Sequence, residues 1–135
     1  MATYTSGPVA GNSSFKPFPD GNLGVRYASF TATTAIAVND VIQMVDVFAG
    51  ETVHNIKIKT TDLDTGTALV LDVGDGSDTD NYIDGSTIGQ AGGSDELDAN
   101  VAPKTYTADD TIDVLAQVGP GGGGTGTIEL WVTVA

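Results

Sequence analysis

The amino-acid sequence predicts an all-β protein: a single-domain antiparallel β-sandwich, jelly-roll-like, with about eight strands and an extended N-terminal arm. Three observations carry this prediction. The 135 residues suit one hydrophobic core and leave no room for a second domain. Short apolar stretches alternate with turn residues along most of the chain. The 18 acidic residues comprise 15 Asp and 3 Glu, and Asp favours turns over helix interiors.

The predicted arm comprises residues 1–22, and the predicted sandwich domain comprises residues 23–135. Three of the five prolines lie in the arm, where each fixes φ and removes a backbone donor. Its aromatic residues Tyr4, Phe15 and Phe18 are suited to anchoring it. We expect the arm to be loose alone and ordered against a partner or its own domain, the alternative being an ordinary floppy terminus.

The candidate strands follow one another after the arm and are separated by residues that favour turns. Such short links favour antiparallel neighbours. In chain order the candidates are 23–30, 34–38, 41–48, 52–60, 67–73, a weak pair around 82–90, a weak strand near 97–101, 111–118 and 126–134. Together they give roughly eight strands.

Strict alternation of apolar and polar residues is clearest in the last candidate strand. Its even-numbered residues from Ile128 to Val134 are apolar and are predicted to face the core. In the strand over 52–60, the same alternation predicts that His54 faces inward together with Ile56 and Ile58. A helix would scramble both patterns.

The charge balance and the absence of cysteine exclude several classes of function. The formal net charge is −13, so a nucleic-acid partner is disfavoured because polyanions repel each other. Without cysteine there is neither a disulfide framework nor a thiolate metal site. The first residues lack the basic and apolar regions of a secretion signal, and no apolar run is long enough to span a membrane. We therefore expect neither secretion by a standard signal nor a membrane partner.

The acidic segment from Asp72 to Gly85 is the strongest candidate for a metal site, because clustered Asp oxygens suit Ca²⁺. Its spacing does not match an EF-hand, and an ordinary solvated turn is the favoured interpretation. His54 is the only histidine, and no Gly-x-Ser-x-Gly motif is present. The glycine-rich run at 119–124 lacks the Lys-Ser or Lys-Thr of a phosphate loop. We therefore predict no catalytic residue, no metal and no cofactor.

Trp131 is the most informative single residue. It falls on the polar face of the last strand, where a bare indole would leave a large apolar area in water. We expect the arm, the second sheet or another subunit to cover it. Together with Tyr4, Phe15 and Phe18, it completes the predicted set of interaction residues.

Four segments carry a resemblance to a known family. They are VRYASFTATTAIAVNDVIQMVDVFAGETV, DLDTGTALVLDVGDGSDTDNYIDG, TADDTIDVLAQ and GTIELWVTVA. In their order and general amino-acid pattern over residues 23–134, these segments resemble the head decoration, or cement, proteins of tailed bacteriophages. The resemblance implies a non-enzymatic protein, made in the host cytoplasm, that binds the major capsid protein on the outer capsid surface, often as a homotrimer. The alternative is a phage tail or fibre module that recognises a ligand such as a carbohydrate, with Ca²⁺ in the acidic loop.

Overall fold

The computed structural model describes residues 1–6 and 23–135, and the regular secondary structure of these residues is almost entirely β-strand. The predictions made for residues 7–22, among them those for Phe15 and Phe18, lie outside the described residues. One short 3-10 helix covers Ile88–Gln90. The strands of the described chain are β1 Thr3–Thr5, β2 Gly24–Ala32, β3 Val41–Val47, β4 Thr52–Thr60, β5 Val70–Gly74, β6 Ile83–Ser86, β7 Gly93–Glu96, β8 Lys104–Thr105, β9 Asp110–Val118 and β10 Gly126–Val134.

These strands form two packed sheets, which confirms the predicted all-β sandwich. The first sheet has the order β1-β3-β9-β5-β6, and the second has the order β2-β10-β4-β7 with β8 paired to β4. All pairings are antiparallel except that of β1 with β3, which is parallel. The described residues thus hold ten strands, where the sequence predicted about eight.

The core lies between the sheets and is filled by the inward positions of the longer strands. In β10 the alternation holds as predicted, since Ile128, Leu130, Val132 and Val134 are all fully buried. Each fully buried aliphatic side chain contributes about 1.5–3 kcal/mol relative to an exposed one. The two sheets are therefore held together chiefly by this apolar layer.

The inward orientation predicted for His54 is wrong, because His54 is exposed. A β-bulge in the pairing of β4 with β10 places Thr133 opposite Asn55 and Val134 opposite Val53, so that His54 is passed over. Val53 is buried in its place. One extra residue in the strand reverses the alternation on one side of the bulge, which the period-two pattern alone does not predict.

Two predicted strands are absent from the described chain. The segment 34–38 crosses between the sheets as an irregular link, and it is tied by the Ile36 amide to the carbonyl of Gly124 and closed by Asn39 at φ 67°. The segment 97–101 is a turn, because the Val101 amide donates to the carbonyl of Asp98. β7 and β8, which flank it, supply the pairing to β4 instead.

A buried ion pair joins the two halves of the sandwich. Arg26 on β2 points into the core and donates to both carboxylate oxygens of Glu51, at 2.7 and 2.5 Å. The same guanidinium donates to the carbonyl of Asp46 on β3 at 3.1 Å. Glu51 in turn accepts the Phe48 amide, which closes the turn between β3 and β4. Arg26 therefore occupies an apolar position of β2 only because Glu51 neutralises it.

Candidate interaction surface

Trp131 lies on the outward side of the second sheet, as the alternation of β10 predicts. It is opposite Tyr27 on β2 and Lys57 on β4. The centroids of the Trp131 and Tyr27 rings are 5.1 Å apart at an interplanar angle of 49°, and Lys57 Nζ is 5.7 Å from the centroid of the indole. The three side chains therefore form one row across the sheet, in which the indole is only partly covered by its neighbours.

The surface around this row combines apolar and polar groups in a shallow depression. Val25 and Tyr27 are 57% and 43% exposed, which is unusual for an apolar and an aromatic residue on neighbouring positions of one face. The Tyr27 hydroxyl donates to Glu129 at 2.7 Å. We call this surface the Trp131 face, and its residues are Val25, Tyr27, Asn55, Lys57, Lys59, Glu96, Glu129, Trp131 and Thr133.

Tyr4, the other described member of the predicted interaction set, lies elsewhere in the fold. It belongs to β1 at the edge of the first sheet, and its ring centroid is 5.5 Å from that of Phe30. It packs against the core and is only partly buried. Tyr4 and Trp131 are therefore on separate surfaces, and a role for Tyr4 in binding a partner stays a prediction.

The acidic segment brings three carboxylates together. Oxygens of Asp72, Asp80 and Asp84 lie within 4.8 Å of one another. Asp72 is buried and its pKa is raised by burial, although the Gly85 amide donates to it at 2.9 Å. The pKa of Asp80 is raised by its hydrogen bond with Asp78. These three side chains would supply part of the six to eight oxygen ligands that Ca²⁺ takes.

Asp75, in the same segment, has a structural role that the sequence analysis missed. It is fully buried, and its Oδ2 accepts Lys104 Nζ at 2.6 Å and the Tyr106 hydroxyl at 2.8 Å. Burial alone would raise the pKa of Asp75, but the bonds from Lys104, Tyr106 and Ser77 outweigh it and hold the pKa at about 2. Burial raises the pKa of Tyr82, which bonds to Tyr106, to about 12. This network ties the acidic segment to Lys104 and Tyr106.

Asp64 fixes the glycine-rich loop in a similar way. Its carboxylate accepts the amides of Gly66, Ala68 and Leu69 at 2.7–2.9 Å and that of Gly122 at 3.1 Å. Burial opposes ionisation, yet these backbone donors lower the pKa of Asp64 well below its usual range. The run at 119–124 is therefore held by a carboxylate, which excludes a phosphate from the same amides.

The described residues do not assemble a catalytic group around His54. It is exposed on β4, and no hydrogen bond or ion pair within residues 1–6 and 23–135 reaches its side chain. Asp113 on β9 is a buried carboxyl whose pKa is raised to about 6, chiefly by burial. It accepts a hydrogen bond from the Thr111 hydroxyl at 2.6 Å within its own strand. Nor does the described part include a helix that could cross a membrane.

Solved structures provide the informative comparison. No protein family matches the sequence, and no curated protein matches it. A chain from the capsid of Ralstonia phage GP4 superposes with a TM-score of 0.85 at 25% identity, covering 99% of this chain and 97% of that one. The chain is structurally similar to a phage capsid protein. A chain of the cyanophage Pam1 capsid asymmetric unit gives a TM-score of 0.77 at 24% identity, with 90% of each chain covered.

A third neighbour extends the similarity of fold. A chain from the acidic stable capsid structure of the Helicobacter pylori bacteriophage KHP30 gives a TM-score of 0.60 at 11% identity, over 83% of this chain and 86% of that one. The similarity to the GP4 capsid chain supports a structural role in a virion, as a phage capsid-related protein. That the chain is not an enzyme stays a prediction, with which the capsid origin of the GP4 chain agrees.

Proposed function

We propose that this chain is a capsid decoration, or cement, protein that binds the outer surface of a phage head and stabilises it. The observation that carries the proposal is the correspondence in size with the GP4 capsid chain. Because 99% of this chain aligns with 97% of that one, the two are of nearly equal length. A small sandwich that accounts for a whole capsid chain suits an added component of a shell.

The proposed role depends on the free energy of binding to the capsid and not on catalysis. The partner is the major capsid protein, and the chain acts as a homo-oligomer, with a trimer favoured. Many symmetric copies that each span a seam between shell subunits convert weak single contacts into strong collective binding. The compact, bonded loops described above suit this role, because a brace must not deform when the shell is strained.

The competing role, a tail or fibre module that recognises a ligand with Ca²⁺, receives less support. Its structural basis would be the cluster of Asp72, Asp80 and Asp84. The solved neighbours are capsid chains, and none of their names refers to a tail or fibre. A rise in melting temperature with added Ca²⁺, reversed by a chelator, would favour this second role.

The deciding experiment compares phage particles with and without the protein. Heads produced without this chain are purified, incubated with the purified chain, and imaged by electron cryomicroscopy. We expect density of its size on the outer shell at a fixed ratio to the major capsid protein. We also expect decorated heads to retain their DNA at a higher temperature than bare heads.

The control is the same chain added to heads that already carry it, which should bind no further copies. Density confined to the tail, or wild-type particles that lack the chain, would contradict the proposal. Equal heat resistance of bare and decorated heads would contradict the stabilising part of it.

A further inference from the structure

The outward side of the second sheet has a charge balance that the rest of the molecule lacks. At outward positions of β2, β10, β4 and β7 the charged residues are Lys57, Lys59, Glu96 and Glu129. Two cations balance two anions there, although the whole chain carries −13. The lysines also alternate with the glutamates, since Lys57 lies opposite Glu96 and Lys59 lies opposite Glu129.

The basic residues elsewhere in the described chain are already paired. Arg26 is bound to Glu51 and Lys104 is bound to Asp75. In residues 1–6 and 23–135, Lys57 and Lys59 are therefore the cations that remain available to another molecule, and both belong to the Trp131 face. The same face holds the only tryptophan of the sequence and two well-exposed residues, Val25 and Tyr27.

The arrangement of the rings argues against a small ligand such as a sugar. A sugar stacks on the open face of an aromatic ring, but the indole of Trp131 is flanked by Tyr27 on one side and Lys57 on the other. What the face offers is a broad mixture of apolar and alternating charged groups. This composition, with aromatic residues at the centre and charges around them, is typical of a protein interface.

We propose that the Trp131 face is the contact surface between copies of this chain, an inference that deepens the proposed function by assigning the oligomer a surface. Two molecules of charge −13 repel each other, and the repulsion is smallest where the approaching surfaces are neutral. Around a symmetry axis the lysines of one copy can oppose the glutamates of the next, because the face carries both signs. Trp131 and Tyr27 are then covered by the neighbouring copy.

The test measures self-association of the purified chain by sedimentation velocity across a range of concentrations. The wild-type chain is expected to form a discrete oligomer. Trp131→Ala combined with Tyr27→Ala is expected to raise the dissociation constant about thirtyfold or more, because buried aromatic anchors dominate interface energies. Lys57→Gln combined with Lys59→Gln is expected to weaken association about tenfold, since both glutamates of the opposed copy lose their partners.

The matched control adds the same charge elsewhere. Asn100→Asp combined with Gln117→Glu also makes the chain more acidic by two charges, at exposed positions outside the Trp131 face. This control should weaken association by less than about threefold, because it acts only through overall repulsion. Far-UV circular dichroism identifies any variant that fails to fold, and Trp131→Phe serves as the replacement if the alanine variant does.

Binding to bare heads is measured in parallel, so the two proposals fail separately. A monomeric wild-type chain, or an oligomer that survives both pairs of substitutions, overturns the assigned surface. If the wild-type chain is monomeric and the substitutions abolish binding to heads, the face contacts the shell instead; the surface proposal is then overturned while the decoration function stands. A chain that oligomerises as expected but never binds heads supports the surface and contradicts the function.

Discussion

Asp113 is a carboxyl group in the centre of the first sheet, where its ionised form is disfavoured. Burial raises its pKa to about 6, and the charges of Asp110 and Asp75 add to the effect, while the bond from Thr111 opposes it. An unfolded Asp has a pKa of about 3.9, so between these two values the folded state holds the proton more tightly than the unfolded state. The protonated side chain of Asp113 thus favours the folded state. Its contribution to the free energy of unfolding is fully present below pH 4 and is lost as the pH rises through about 6.

We predict that Asp113→Asn stabilises the protein at neutral pH. The neutral amide avoids the cost of a buried charge, which for a pKa raised from about 3.9 to about 6 is at most about 3 kcal/mol above pH 7 and vanishes below pH 4. Urea unfolding of the variant and the wild type at pH 4 and pH 7.5 measures the difference. Glu96→Gln, which removes one exposed carboxylate, is the control and should shift stability by less than about 0.5 kcal/mol. A difference that is the same at both values of pH would contradict the assignment to Asp113.

Asp75 and Asp64 act in the opposite direction. The pKa of each is lowered by hydrogen bonds, so each contributes stability above pH 4 that is lost as the pH falls through its folded pKa. Asp75 fixes the acidic segment, and Asp64 fixes the glycine-rich run at 119–124. Both segments should therefore loosen in acid before the apolar core does.

At the scale of elements, the Arg26 and Glu51 pair is what ties β2 to the turn between β3 and β4. Both side chains are almost completely buried, and two hydrogen bonds join them. A buried pair of this kind adds little over an apolar pair, but breaking it leaves one uncompensated charge in the core.

We predict that Glu51→Gln lowers the free energy of unfolding by about 3 to 5 kcal/mol, because Arg26 then remains charged without a counterion. Denaturant titration followed by tryptophan fluorescence provides the measurement. The double variant Arg26→Met with Glu51→Leu should recover most of the loss, since neither charge remains. Glu96→Gln, at an exposed position, should cost less than about 0.5 kcal/mol. A double variant no more stable than Glu51→Gln would show that the charge is not the cause.

At the scale of the whole molecule, the beginning of the predicted arm is also part of the sandwich. β1 is part of the first sheet, where its residues pair with Val41–Gln43 and the Ala2 amide donates to Asp40. Truncation at residue 22 would therefore remove a strand as well as the rest of the arm. Substitutions that leave β1 in place are the cleaner test.

We predict that Phe15→Ala combined with Phe18→Ala lowers occupancy on phage heads while leaving the melting temperature of the isolated chain unchanged. We propose that these rings anchor the arm in a groove of the partner and not in the core of the chain itself. Occupancy is measured by the ratio of this chain to the major capsid protein on purified heads. Tyr4→Ala is the contrasting variant. It removes the contact between the Tyr4 and Phe30 rings, so its melting temperature should fall. A melting temperature that falls equally in both variants would contradict the proposed anchoring.

The sequence by itself determined the class of fold and the orientation of its clearest strands. Period-two alternation is a local property, so it correctly placed β10 with Trp131 outward and Ile128 to Val134 inward. Turn residues likewise located most strand ends to within a few positions. The texture of the segments also indicated a phage capsid component, which the similarity to capsid chains supports.

Tertiary structure alone decided the pairings between residues far apart in the chain. Arg26 meets Glu51, Asp75 meets Lys104, and the bulge in β4 turns His54 outward. The neutrality of the Trp131 face also became visible only when β2, β10, β4 and β7 were placed side by side. The physical reason is that alternation fixes which way a side chain points, whereas strand order and register fix what it meets.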